Sequence, residues 1–194
     1  VILMPSKYRI VRVCLFFIAT FFISSRRRYY FLPEGCVKGI NTLKDTSDSV
    51  SAFKQIFSIL LRNCIVILFM TTGNIVAIKI HRHIFPFGYF GAFIMFVING
   101  ITLGTWSFSA RTDIRPGFFA VMLHSFDILH NSGLLELFGV ATIVAVTGRL
   151  NMFIVDGGTM YKSKIPPLNR KEVTSILFGV VLIALGAMVE AYSL

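Results

Sequence analysis

Residues 118–149 form a long apolar stretch that also contains a cluster of polar side chains. Its sequence, FFAVMLHSFDILHNSGLLELFGVATIVAVTGR, is apolar enough for the hydrocarbon core of a bilayer. It nevertheless carries His124, Asp127, His130, Asn131 and Glu136 within thirteen positions. Ionisable groups at membrane depth are costly and usually face a bundle interior or a water-filled cavity. These five residues are therefore the core of a predicted intramembrane polar site.

Composition identifies the class of protein. Hydrophobic residues make up 55% of the 194, charged residues only 14%, and the mean hydropathy is +0.76. A soluble domain is about 45–50% apolar and about 25% charged, so this chain lacks the polar surface to cover its apolar mass in water. The sequence predicts a multi-pass protein of the cell membrane, folded as an all-α bundle of transmembrane helices.

The net charge of +10 lies mainly in the short connections between apolar runs. Basic residues near a membrane surface attract anionic headgroups, at about 1 kcal/mol each. A nucleic-acid-binding protein concentrates its basic residues in one patch or stripe, whereas here they are scattered over several connections. Membrane lipids are therefore an expected partner, and nucleic acid is not.

The apolar runs predict one integral membrane domain over residues 1–194 with about five spans. The first run resembles a secretory signal but lacks a convincing cleavage site, so we expect it to be retained as a span. An amphipathic helix at residues 47–62 is expected to lie along the membrane surface before the second span. The predicted spans are residues 4–25, 63–80, 89–108, 118–149 and 173–192.

The fourth segment has an unusual length. Its 32 residues (118–149) are too many for one straight span of about 20 residues, and too few for two spans with a loop. The sequence HNSG at residues 130–133 favours a cap and a turn, which predicts a broken helix that either crosses the membrane or re-enters it. Irregular backbone at membrane depth must be sheltered by protein or a cavity, so the break should be buried.

Small and polar residues in the spans indicate where helices approach one another. The pair Gly100-x-x-x-Gly104 has the spacing that permits close helix packing, and Asn99 beside it should be paired because it lies within a span. The predicted helix-packing positions are Gly91, Gly100, Gly104, Gly133 and Gly186.

Three interpretations of the polar site remain open from the residues. His124, Asp127 and His130 share one helical face and with Glu136 have ligand types suited to zinc, but no metalloprotease motif is present, so no metal is expected. A substrate or proton pathway along the same face is favoured over zinc, since intramembrane ionisable groups often mark transport routes. In the third interpretation His130 and Glu136 pair with each other, or with nearby backbone, to hold the broken helix.

At this point the polar residues resemble a known family. The order and spacing of these residues over residues 53–150 are similar to the stage II sporulation protein M family, although that family usually has a tighter His-Gly-x-x-Glu arrangement. The residues that carry the resemblance are Asn63, Asn99-Gly100 with Gly104, and His130-x-x-Gly133-x-x-Glu136-Leu137.

The resemblance implies a bacterial membrane protein of about five spans with one of two non-enzymatic roles. The first is the transmembrane partner of an ABC-type ATPase, in export of or immunity to a small peptide or amphiphile. The second is a scaffold that recruits peptidoglycan-remodelling enzymes, with residues 26–62 on the outer face as the docking surface. Other membrane subunits or further copies of the chain are expected in such an assembly.

The sequence contains no phosphate-binding loop, so any ATPase is expected to be a separate chain, and no cofactor is expected. The docking surface for that partner is predicted in the basic connection before the last span, at Arg149, Lys162, Lys164, Arg170 and Lys171. With the N-terminus inside, ten basic residues fall inside and nine outside, so the positive-inside rule barely selects an orientation.

Overall fold

The computed structural model describes residues 6–31, 52–81, 83–103, 117, 119–120 and 133–193. These residues form five helices and four strands. The helices are α1 (Ser6–Phe31), α2 (Ala52–Gly73), α3 (Phe87–Leu103), α4 (Leu134–Thr147) and α5 (Arg170–Ser193). The strands are β1 (Val76–Ile80), β2 (His83–Pro86), β3 (Phe153–Asp156) and β4 (Thr159–Lys162).

Within the described residues, three helical segments are long and apolar enough to cross a membrane: Tyr8–Phe31, Phe53–Gly73 and Arg170–Ala191. The apolar parts of α3 and α4 are shorter, at Phe87–Ile101 and Leu135–Thr147. The chain is thus mostly helical, and its long apolar helices are compatible with a membrane location. The predicted number of spans stays a prediction.

A four-stranded sheet is the main departure from the predicted all-α bundle. The strand order is β2-β1-β3-β4, with β1 and β3 parallel and each hairpin antiparallel. The predicted second span at residues 63–80 was wrong at its C-terminal end, because α2 ends at Gly73 and β1 follows. The β-branched residues Val76, Ile78 and Ile80 alternate along β1, a pattern that suits a paired strand.

The predicted surface helix at residues 47–62 also differs from the structure. Residues 52–73 form the single helix α2, without an interruption where the surface helix was expected to end and the span to begin. Residues 47–51 lie outside the described part of the chain. An uninterrupted helix keeps all its internal backbone hydrogen bonds, which apolar surroundings demand.

The order helix–hairpin–helix occurs twice, first in α2-β1-β2-α3 and then in α4-β3-β4-α5. Because β1 pairs with β3, both hairpins lie at the same end of the helices, which we call the sheet end. Lys79 and Asp156 are ladder partners there, and Lys79 Nζ lies 2.5 Å from Asp156 Oδ2. This hydrogen bond and the carboxylate charge raise the pKa of Lys79.

The core of the bundle forms around α4. Every residue from Val140 to Gly148 is buried, so the C-terminal half of this helix is covered on all sides. A helix that is apolar all round belongs in an interior, as its sequence indicates. On one side Phe17 and Phe21 of α1 contribute to the same core, and on another Gly139 and Gly179 bring the backbones of α4 and α5 together.

Candidate functional site

The described residues contain only part of the predicted polar site. His124, Asp127, His130 and Asn131 lie outside them, as does the predicted break except for Gly133. The proposed zinc, pathway and His130–Glu136 interpretations therefore stay predictions. Glu136 is described and lies on α4, and Gly133 before it has helical backbone angles (φ −65°, ψ −30°), so the predicted break stays a prediction.

Glu136 has a partner that the sequence interpretations did not pair with it. Its Oε1 accepts a hydrogen bond of 2.7 Å from Nδ2 of Asn63, a residue of α2. Glu136 is the third residue of the described part of α4. The bond thus joins α2 and α4.

The position of this pair along the helices gives its distance from the sheet end. Asn63 lies ten residues before the end of α2, and Glu136 lies eleven residues before the end of α4. At 1.5 Å per residue, both are about 15 Å from the sheet end. The hydrocarbon core of a bilayer is about 30 Å thick, so helices that enter it at the sheet end would place the pair near the middle.

Two further charges act on Glu136. Arg62 is the neighbour of Asn63 on α2 and attracts the carboxylate, whereas Glu190 on α5 repels it. The hydrogen bond from Asn63 is the direct contact of Glu136, and among the described residues neither Arg62 nor Glu190 forms a hydrogen bond or an ion pair with it.

Asn99 makes its hydrogen bond within its own helix. Its Nδ2 donates to the Met95 carbonyl at 2.9 Å, and the side chain is half-buried on α3. No hydrogen bond joins it to Glu136 in the described part of the chain. The hydrogen bond expected for this amide is thus made within α3. Asn99 is not part of the Asn63–Glu136 site.

A second polar cluster lies at the sheet end. Glu172 Oε1 accepts hydrogen bonds from Arg9 Nη2 at 3.2 Å and from Arg149 Nη1 at 2.8 Å. Arg149 also donates through Nη2 to the Pro167 carbonyl at 2.9 Å. The cluster joins the start of α1, the end of α4 and the start of α5. We call Arg9, Arg149 and Glu172 the arginine–glutamate cluster.

Glu172 also forms a capping box with Asn169 at the start of α5. Glu172 N donates to Asn169 Oδ1 at 2.9 Å, and Asn169 N donates to Glu172 Oε2 at 3.0 Å. This reciprocal arrangement satisfies two backbone donors at the helix start. The sequence Asn169-x-x-Glu172 was the available signal for this cap. It carried no indication that Arg9, 163 residues earlier, would share the carboxylate.

The predicted docking residues divide into two groups. Lys162, Lys164, Arg170 and Lys171 are exposed at the sheet end. Arg149 is instead mostly buried and bonded within the arginine–glutamate cluster. The four exposed residues can present positive charge to a partner, whereas Arg149 holds the helix ends that position them.

The predicted packing glycines have different surroundings. A Cβ on Gly100 would lie 2.5 Å from the Phe21 carbonyl oxygen of α1, whereas one on Gly91 would meet only Met70 Cγ at 3.6 Å. Gly186 is buried on α5, Gly133 precedes α4, and Gly104 lies outside the described residues. The close approach of α1 to α3 therefore requires glycine at position 100. Position 91 has room for a small side chain.

No family model, curated protein or solved structure matches this chain. The resemblance to the stage II sporulation protein M family therefore stays a prediction from the residues.

Proposed function

We propose that the chain is a non-enzymatic integral membrane subunit of a bacterial assembly. In this proposal it is the transmembrane partner of an ABC-type ATPase, and the assembly exports, or gives immunity to, a small peptide or amphiphile. The site around Asn63 and Glu136 contacts the transported molecule, and the sheet end receives the ATPase.

The Asn63–Glu136 pair is the observation that carries the proposal. Transport proteins place their substrate and coupling-ion sites near the bilayer midplane. Asn63 and Glu136 lie about 15 Å from the sheet end, which corresponds to half of the hydrocarbon thickness. A carboxylate that accepts a hydrogen bond from an amide at this depth fits a transport site, because ionisable groups within spans often mark transport routes.

The exposed basic residues at the sheet end support the proposed docking of the ATPase. Both hairpins and the first turn of α5 meet there, and Lys162, Lys164 and Lys171 are exposed among them. Exposed basic side chains grouped at one end of the bundle form a surface complementary to an acidic partner. The twofold occurrence of helix–hairpin–helix also resembles the internal repeats of many transporters.

The scaffold role is the second candidate from the resemblance. Its docking surface was predicted at residues 26–62, of which residues 32–51 lie outside the described part of the chain. The metal-dependent enzyme interpretation needs His124, Asp127 and His130, which lie outside it as well. The transport role is preferred because the Asn63–Glu136 hydrogen bond and the exposed basic residues at the sheet end both support it.

The test uses the tagged chain in a bacterium that encodes it beside an ATPase gene. The chain is purified in mild detergent, and a partner with a phosphate-binding loop is identified by mass spectrometry. A triple variant, K162Q, K164Q and K171Q, removes the basic docking surface. The control variant R26Q and R27Q removes two exposed charges at the opposite end of α1. A third variant, E136Q, changes the transport site only.

We expect the parent and the control to retain the ATPase and the triple variant to lose it. E136Q should retain the ATPase but lose export or immunity. Purification without any nucleotide-binding partner, or equal retention by the triple variant, would contradict the docking half. Full export with E136Q would contradict the transport site. Recovery of peptidoglycan hydrolases in place of an ATPase would favour the scaffold.

A further inference from the structure

A groove lies between α1, the β1–β2 hairpin and the start of α3. Its volume is about 700 Å³, within the range of small-molecule sites. Phe16 and Phe17 of α1 form one wall, and Ile80, Phe85 and other hairpin residues form the opposite wall. The groove is separate from the Asn63–Glu136 site and from the predicted docking residues.

The hairpin wall is apolar although it lies outside the helical core. Ile78, Ile80 and Phe85 are 37%, 50% and 43% exposed, respectively. Ile78 and Phe85 are directly opposite on neighbouring strands, so their side chains share one face of the hairpin. A contiguous exposed apolar surface of this kind is costly in water and indicates a bound apolar group.

The groove extends from the sheet end into the helical region. β2 ends at Pro86 and α3 begins at the next residue, so the hairpin wall continues directly into the helix. On α3 the lining reaches Phe93, six residues further, which is about 9 Å along the axis. A bilayer that receives the helices at the sheet end would surround the inner part of the groove with acyl chains, and the outer part with headgroups.

Charge identifies the headgroup that suits this groove. Among the described lining residues Arg12 alone carries a charge, and its side chain is exposed. Arg12 lies one helical turn before Phe16, on the side of the groove nearer the sheet end. Basic pockets between membrane helices bind anionic lipid headgroups. An apolar channel with a cation at its outer end therefore matches an anionic amphiphile.

We propose that this groove holds one anionic phospholipid of the surrounding bilayer. One acyl chain lies against the phenylalanines of α1 and α3, the hairpin isoleucines cover its outer end, and the phosphate lies beside the guanidinium of Arg12. The proposal rests on the membrane insertion included in the proposed function, but not on the ATPase or the transport site.

The test measures lipid retained by the purified chain. The chain is reconstituted in nanodiscs of equal parts phosphatidylglycerol and phosphatidylcholine, extracted in mild detergent, and examined by native mass spectrometry. R12Q removes the cation, R12K keeps it, and I80D places a carboxylate in the hairpin wall. K162Q is the matched control, because Lys162 is an exposed cation at the same end but outside the groove.

We expect the parent to retain one phosphatidylglycerol in preference to phosphatidylcholine. R12Q should weaken this retention about fivefold, the effect of one basic residue at an anionic surface, and I80D should abolish it. R12K and K162Q should retain the lipid as the parent does. Equal retention of both lipids by the parent, or unchanged retention by R12Q and I80D, would overturn the proposal. Alkaline carbonate extraction tests insertion separately: a chain that is released from membranes contradicts the proposed function itself.

Discussion

Arg9 and Glu172 form an ion pair between the start of α1 and the start of α5, with side-chain exposures of only 1% and 0%. Charges withdrawn from water in this way are expensive unless they are paired and hydrogen-bonded. The carboxylate of Glu172 meets this demand by accepting from two arginines and from Asn169 N. Three helix ends consequently depend on one carboxylate.

Replacing Glu172 by Gln should destabilise the chain by about 3–5 kcal/mol, because Arg9 would remain buried without a counter-charge. A glutamine can still complete the capping box, so this variant isolates the loss of charge from the loss of the cap. The free energy of unfolding is measured by titrating mixed micelles with dodecyl sulfate. K171Q, which changes the exposed neighbouring residue, is the control and should differ from the parent by less than about 0.5 kcal/mol.

Arg149 provides an internal comparison for this prediction. Its side chain is 20% exposed, and Glu172 keeps Arg9 as a partner when Arg149 is changed. R149Q should therefore lower the free energy of unfolding by less than E172Q does. Equal losses for the two variants would show that the burial of Arg9 is not the dominant cost.

The Asn63–Glu136 hydrogen bond should appear as a coupling energy between α2 and α4. We expect N63L and E136L to be less stable than the parent, and the double variant to be more stable than the sum of the two losses predicts. Hydrogen bonds between membrane helices contribute about 0.6–1.7 kcal/mol in such cycles. The four proteins are compared in the same dodecyl sulfate titration.

A matched cycle at a neighbouring position distinguishes this bond from general packing. Cys64 follows Asn63 on α2 and is exposed, so C64L with E136L should give no coupling. Additive losses for Asn63 and Glu136 would contradict the hydrogen bond as a link between the helices.

The sequence predicted the apolar helices because hydropathy is a local property of each run. α1, α2 and α5 were anticipated in this way. The ends of α2 were predicted less well. Amphipathic spacing before residue 63 suggested a separate surface helix, but packing against α5 through Ile59 continues the same helix there.

The sheet was not predicted because its pairing is non-local. Asp156-Gly157-Gly158 is a typical hairpin turn, and residues 76–80 alternate β-branched side chains. Neighbouring residues obscure both signals, because residues 76–80 continue an apolar run and Asp156-Gly157-Gly158 lies in a turn-rich connection. The decisive contact joins Val76 to Phe153, which lie 77 positions apart. No local pattern specifies which two strands will meet.

The side-chain contacts in the polar sites were not predicted for the same reason, because they join residues far apart in the sequence. The resemblance drew attention to Asn63 and to Glu136, but it did not indicate that their side chains bond to each other. Arg9 looked like a basic residue flanking a membrane span, which usually lies at the headgroups. Its burial depends on Glu172, which only the folded arrangement of α1 and α5 brings near.

Two glycines of α3 should respond differently to the same substitution. G100A places a methyl group against the Phe21 carbonyl of α1, so we expect a loss of about 1–3 kcal/mol from overpacking. G91A meets only Met70 at an ordinary distance and should be neutral or stabilising, because alanine favours a helix more than glycine does. The dodecyl sulfate titration compares the two. Equal losses would indicate that helix position 100 has room that the structure does not show.

The turn between β3 and β4 should not tolerate a β-branched residue. Gly157 and Gly158 have φ values of +56° and +90°, in the left-handed region that L side chains rarely adopt. G158V should therefore destabilise the hairpin by about 1–2 kcal/mol, the cost of a left-handed conformation for an L residue. Hydrogen exchange of the Tyr161 and Ser163 amides measures the local opening of β4, independently of the helices.

Met160 supplies the control for the turn, since it is an exposed residue of β4 with an ordinary strand conformation. M160V introduces the same side chain two residues later, where β-branching suits the strand. We expect M160V to leave amide exchange in β4 unchanged and G158V to accelerate it, because only the second forces a side chain into a left-handed turn. If both variants exchange at the rate of the parent, the turn does not determine the stability of the hairpin, and pairing of β3 with β1 alone must hold that half of the sheet.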